Sequence, residues 1–210
     1  MTVFYIDTSS SYLYLGIVKN DDLLISLKEK FDHDLSKFTL PKVVEIFDKV
    51  SMSSVEDIDK IIVVDGPGSF TGIRIGITIA KVMAWSLNKK ITTISSLEAM
   101  VISSLGTFEY YVPLIDARRG YVFAGVYDKS LKPILNNSYI KLSTIKERLN
   151  DIDDYVVVSN DEFVFKNTVS YNPDIFKIVK YFERKRNINP HLINPNYLKL
   201  TEAEENLNNG

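Results

Sequence analysis

Ile61-Ile62-Val63-Val64-Asp65-Gly66-Pro67-Gly68-Ser69-Phe70-Thr71-Gly72-Ile73-Arg74-Ile75-Gly76 is the stretch on which the fold turns. Its first four residues are a continuous β-branched apolar run, the mark of a strand buried on both faces. A glycine-rich turn follows, and helical spacing predicts a helix from Thr71 to Leu87. Glycines in such a turn allow positive φ and close backbone approach, and a helix N-terminus favours anions. Gly66, Gly68 and Ser69 can therefore be read as a phosphate cradle. The spacing is neither the Walker nor the dinucleotide pattern, and a tight strand-to-helix turn is the other reading.

Outward from this unit, Val3–Ile6, Tyr12–Val18 and Leu23–Leu27 read as three strands, with Asn20-Asp21 as a hairpin turn. Between the first two lies Asp7-Thr8-Ser9-Ser10-Ser11. A carboxylate followed by hydroxyls can hold a hydrated metal and phosphates, or can form a polar turn bonded to its own backbone. Leu35, Val43, Ile46, Phe47 and Val50 share one half of a helical wheel over 35–50, where Pro41 is expected to bend the helix. Ile91–Ile94 reads as a strand, and Ser95-Ser96-Leu97-Glu98 has the spacing of a capping box opening another helix. The first half is thus βββαβαβα.

A hinge near Gly106 is expected to divide the chain into lobes 1–106 and 107–210. Beyond it come strands at 110–115, 121–127 and 138–140, a helix at 144–149, a strand at 155–158 and a helix at 174–184. The second half repeats the first in shortened form, and the polar end Glu202–Gly210 is expected to fray.

Composition excludes much chemistry. In 210 residues there are no Cys and only two His, so neither a tetrahedral Cys/His site nor a cysteine nucleophile can be built. His33, beside the start of the first helix, and His191, between Pro190 and Leu192, read as turn or cap residues. Lys and Arg number 25 against 27 Asp and Glu, so any nucleic-acid contact must be local. Lys177, Lys180 and Arg184 share one face of the last helix and are either such a contact or a solvated face. No apolar run reaches membrane-spanning length and no basic leader opens the chain, so a soluble cytoplasmic protein is expected.

The helix 72–87 wants burial over almost its whole circumference, since Asn88, Lys81, Arg74, Trp85 and Thr78 confine its polar arc to about 80°. Gly72, Gly76, Ala80 and Ala84 recur every four residues, with Ile75, Ile79, Val82 and Met83 beside them. Either the helix 35–50 covers this second side or a protein partner does.

Ile6-Asp7-Thr8-Ser9, His33-x-x-Ser36, Gly66 to Gly76, Ile115-Asp116-Ala117-Arg118-Arg119-Gly120 and Pro195-Asn196-Tyr197-Leu198-Lys199 together resemble the TsaB (YeaZ) family. The resemblance implies an α/β fold of the actin-like ATPase (ASKHA) superfamily with two RNase H-like lobes, the second shortened. It implies a role in bacterial synthesis of tRNA threonylcarbamoyladenosine as the non-catalytic partner of a TsaD subunit, joined by the ATPase TsaE, or pairing with itself when alone. The tRNA is then met through the complex, with no membrane, cofactor or metal of the chain's own. The catalytic relative carries a His-x-x-x-His metal pair, which this chain lacks. The family pairs through first-lobe helices, which puts Leu35, Phe38, Gly72, Ile75, Gly76, Ile79, Ala80 and Met83 at the contact. Asp7, Thr8, Ser9, Gly66, Gly68 and Ser69 become remnants of a nucleotide site, and Arg74, Asp116, Arg118, Gly120 and Tyr197 structural members of the motifs. Two positions depart from the family: Tyr121 stands where an acidic or amide residue is frequent, and Lys199 stands for Arg. A small-molecule kinase or a peptidase of the same superfamily is the alternative.

Overall fold

The computed structural model describes residues 1–31, 34–50 and 55–199. The readings made for His33 and for Glu202–Gly210 lie outside the described residues. The chain forms two five-stranded mixed sheets. The first contains β1 (Thr2–Asp7), β2 (Tyr12–Lys19), β3 (Asp22–Lys30), β4 (Lys60–Gly66) and β5 (Lys90–Ser95), in the order β3-β2-β1-β4-β5. The second contains β6 (Tyr110–Asp116), β7 (Tyr121–Asp128), β8 (Pro133–Lys141), β9 (Tyr155–Val158) and β10 (Thr168–Val169), in the order β8-β7-β6-β9-β10. The two orders are the same when β6 is set against β1. The pairings agree too, with two antiparallel ladders followed by two parallel ones in each sheet.

The helices are α1 (Leu35–Lys49), α2 (Phe70–Ser86), α3 (Ser96–Ser104), α4 (Leu142–Leu149) and α5 (Ile175–Phe182). Alternation along the first sheet divides its apolar residues between two cores. Phe4, Ile6, Leu15, Ile61 and Val63 face α1 and α2, and Val3, Tyr5, Tyr14, Ile62 and Val64 face α3 and α5. At roughly 25 cal/mol per Å² of apolar surface, burial on both faces is what stabilises strands as apolar as β4. The α3 helix also rests on β6, β7 and β9, so it lies between the sheets. The α5 helix follows the second sheet in sequence but packs on β1, β2 and β3 of the first. Gly16 admits it: a Cβ there would lie 2.6 Å from Ile175 Cγ2. The capping box is formed, with Ser95 accepting from the Leu97 amide and Glu98 from the Ser95 amide.

Four elements differ from the sequence expectation. β8 begins at Pro133 rather than near 138, β10 adds a two-residue parallel strand, and 3-10 turns form at Val55–Asp57 and Pro190–Leu192. The α2 helix has no counterpart among the described residues between β9 and β10, and this is where the second half is shortened.

Candidate functional site

The strand ends of β1 and β4 meet the start of α2, and the geometry there is set by close approach. A Cβ on Gly68 or on Gly72 would overlap the carbonyl oxygens of Ser9 and Thr8 respectively, and one on Gly76 would overlap the Thr8 hydroxyl. Gly66 and Gly68 have φ of 115° and 152°. The amide of Ser69 donates to Ser9 O at 2.7 Å, the Ser69 side chain accepts from the Gly72 amide, and Thr8 Oγ1 donates to Gly72 O at 2.7 Å. Two amides that a phosphate cradle would offer are therefore engaged within the chain, that of Ser69 by Ser9 O and that of Gly72 by the Ser69 side chain.

Asp7 is 1% exposed. Its Oδ1 accepts from the Ser9 amide at 2.8 Å and its Oδ2 from the Tyr5 hydroxyl at 3.4 Å. Burial raises its pKa above the ordinary carboxylate value, against the lowering effect of these donors. Both Asp7 oxygens therefore have partners within the chain. Among the described residues, no group of three His, Asp or Glu is arranged as a metal site. Asp7 borders a cleft of about 960 Å³ between the two sheets, which Lys28, Tyr171, Asp116, Arg118 and Asp161 also line.

The burial of α2 corrects the sequence reading of a contact stripe. Gly72, Gly76 and Ala80 point inward, against Thr8 and the sheet, and are not surface residues. The second side of α2 is covered from two directions within the chain. On one flank, Ile79 and Met83 pack half-buried in the core that α1 shares. On the other runs the segment from Ile188 to Tyr197, tied by Lys81 Nζ to Ile193 O at 2.9 Å, by the Asn196 amide to Asp65 O at 2.7 Å and by Arg74 Nε to Tyr197 Oη at 2.6 Å. Arg74 also lies 4.0 Å over the Phe70 ring, which stacks on Tyr197. Trp85 meets His191 edge to face.

Apolar residues remain exposed on both α1 and α2. Val82 is 56% exposed and Trp85 66%, with Leu40 at 54% and Val44 at 52% on α1. On α1, Lys42 reaches Glu29 of β3 and Phe38 stacks on Phe31, which marks the flank turned to β3. Leu40 and Val44 fall on the opposite flank of the helix. Leu35 packs into the core and Phe38 is only half open. Leu40 and Val44 escaped the sequence reading. Their signal was an apolar i, i+4 pair lying off the helix's buried half.

The basic face of α5 is neutralised by the chain itself. Lys180 pairs with Asp21 at 2.9 Å and Glu183 at 3.2 Å, Lys177 with Asp174 at 3.4 Å, and Arg184 approaches Glu183 at 4.0 Å.

The doubled sheet with exchanged helices defines an actin-like ATPase superfamily fold of two RNase H-like lobes. YeaZ from Pseudomonas aeruginosa has this fold, with a TM-score of 0.78 at 20% identity over 94% of this chain and 99% of that one. A family model described as TsaD, tRNA N6-adenosine threonylcarbamoyltransferase, matches residues 32–172, and the chain belongs to that family. Several similar proteins carry the name TsaB, tRNA threonylcarbamoyladenosine biosynthesis protein. The Bacillus subtilis protein is 29% identical over 97% of this chain and 96% of its own length. The Escherichia coli protein is 27% identical over 72% and 68%. Among the described residues no helix is long and apolar enough to cross a membrane.

Proposed function

We propose that this chain is a non-catalytic subunit of the assembly that forms tRNA threonylcarbamoyladenosine. It docks a TsaD-type catalytic subunit on its α1–α2 face, with a TsaE-type ATPase completing the set. The observation that carries this reading is the open apolar face of Leu40, Val44, Val82 and Trp85 on two helices that are otherwise well packed. The two helices pack on each other, and exposed apolar residues grouped on neighbouring elements suit a contact surface better than ones scattered singly. The non-catalytic part of the reading is supported by the engaged carboxylate of Asp7 and by a sequence without paired histidines.

Reconstitution tests it. With an activated threonylcarbamoyl donor supplied, modified adenosine should form on tRNA when the TsaD-type and TsaE-type subunits are combined with this chain, and fail with Val82→Glu. Unchanged modification with Val82→Glu, or without the chain, would overturn the proposal.

A further inference from the structure

Positive charge without a partner gathers at the β6–β7 hairpin, the end of the second sheet that borders the interlobe cleft. Arg118 and Arg119 are both exposed, and among the described residues neither guanidinium has a hydrogen bond or ion pair. The turn that carries them is unusual. Arg118, Arg119 and Gly120 have φ of 66°, 54° and 77°, three left-handed residues in succession, two of them not glycine. The Arg118 amide donates to Asp116 Oδ1 at 2.8 Å, the Asp116 amide to Asp161 Oδ2 at 2.7 Å, and the Tyr121 amide to Arg118 O at 3.0 Å. The nearby carboxylates thus brace the backbone of the turn. Backbone held in sparsely populated conformations by its surroundings is found at binding sites more than elsewhere.

Aromatic rings follow directly in β7 and β8. Tyr121 stacks on Tyr139 of β8, with centroids 4.7 Å apart and planes at 11°. Lys199 Nζ lies 5.4 Å over the Tyr139 ring, and Lys141 pairs with Tyr121 in the β7–β8 register. Both tyrosines are only half buried. Guanidiniums that take phosphate oxygens in fork geometry, beside a flat aromatic pair and two amines, match a ribonucleotide strand better than an acidic peptide, which has no use for the rings.

We infer that the Arg118–Arg119 hairpin, with the Tyr121–Tyr139 stack, is an RNA contact surface. The arginines hold backbone phosphates, and the tyrosine pair offers a platform to an unpaired base. The inference rests on the proposed function, because it supplies the place where a subunit of a tRNA-modifying assembly touches its substrate. It also relocates the contact from α5, whose cations are spoken for, to the hairpin, whose cations are not.

The test is fluorescence-anisotropy titration of an unmodified tRNA transcript against the chain alone and in complex with a TsaD-type subunit, at several salt concentrations. Arg118→Ala/Arg119→Ala should weaken binding at least tenfold at low salt and lower the slope of log affinity against log salt by about 1.5, two phosphate contacts' worth. Tyr121→Ala should weaken it severalfold and Tyr121→Phe should restore it, since a ring suffices for stacking. Unchanged affinity and slope in the double variant would overturn the inference. So would loss of the protein complex with tRNA affinity intact, which would make the hairpin a protein contact. Failure of the underlying reading is distinguishable, because it shows as a Val82→Glu chain that still forms the complex, whatever the hairpin variants do.

Discussion

Thr8 and Ser9 press so closely on the start of α2 that three glycines are required there, and the atom each would meet ranks the cost of replacing it. Gly72→Ala drives a Cβ into the Thr8 backbone carbonyl, whereas Gly76→Ala meets the Thr8 hydroxyl, which can turn aside only by giving up its bond to Gly72 O. Overpacking of this kind costs about 1–3 kcal/mol, so Gly72→Ala should lie at the upper end or beyond and Gly76→Ala somewhat below it, read as shifts of the urea midpoint. Asp65 gives a pH signature. Burial raises its pKa to about 6, outweighing a Thr93 hydrogen bond and the Lys185 charge, and its Oδ1 has no hydrogen-bond partner among the described residues. A folded pKa above the unfolded one means that the native state binds the extra proton between roughly pH 4 and 6, so this residue's contribution to stability rises as pH falls through that window. Asp65→Asn should therefore stabilise the protein at pH 8, by up to about 3 kcal/mol, and the gain should fade below pH 4. A constant difference from pH 4 to 8 would contradict this. None of these contacts was legible in the sequence: the glycines were visible as freedom, but what they approach lies about sixty residues away.

Elements were legible where local chemistry dictates them. The apolar run of β4, the glycine turn, and the Ser95–Glu98 capping box all fix structure within a few residues, and the sequence places them to within one or two positions. The segment 188–197 was opaque for the opposite reason. Ile188-Asn189-Pro190-His191-Leu192-Ile193-Asn194-Pro195 reads as loop, and its anchoring is by long-range bonds with no periodicity, such as the Ile188 amide to Ile91 O at 2.9 Å. That is why the demand of α2 for cover on a second side was readable, while the supplier was not. Ile193, 3% exposed in the core beneath α2, should cost about 2–4 kcal/mol as Ile193→Ala. Tyr197→Phe, which loses only the bond to Arg74, should cost about 1 kcal/mol. Thermal or urea unfolding checks both, and equal losses would mean that the segment's packing contributes no more than one hydrogen bond.

At the scale of the molecule, one sheet topology is used twice, and the difference between the copies is α2. The second half runs from β9 to β10 without a helix among the described residues, whereas the first half places there a helix with an apolar ridge facing outward. The proposed partner surface therefore lies on the one element that the second half does not repeat. Sequence reading reached the helix but assigned its glycine stripe to the contact, because small residues every four positions suit any close neighbour, and periodicity cannot say whether that neighbour is one's own β1 or another chain. The most direct measurement is the dissociation constant between this chain and a TsaD-type subunit, by calorimetric titration, for wild type and for Val82→Glu. Val82 is open, so the variant should keep its urea midpoint. An unpaired carboxylate buried in the contact should weaken binding at least about 30-fold, some 2 kcal/mol. A folded Val82→Glu chain that binds as tightly as wild type would contradict the assignment of the α1–α2 face.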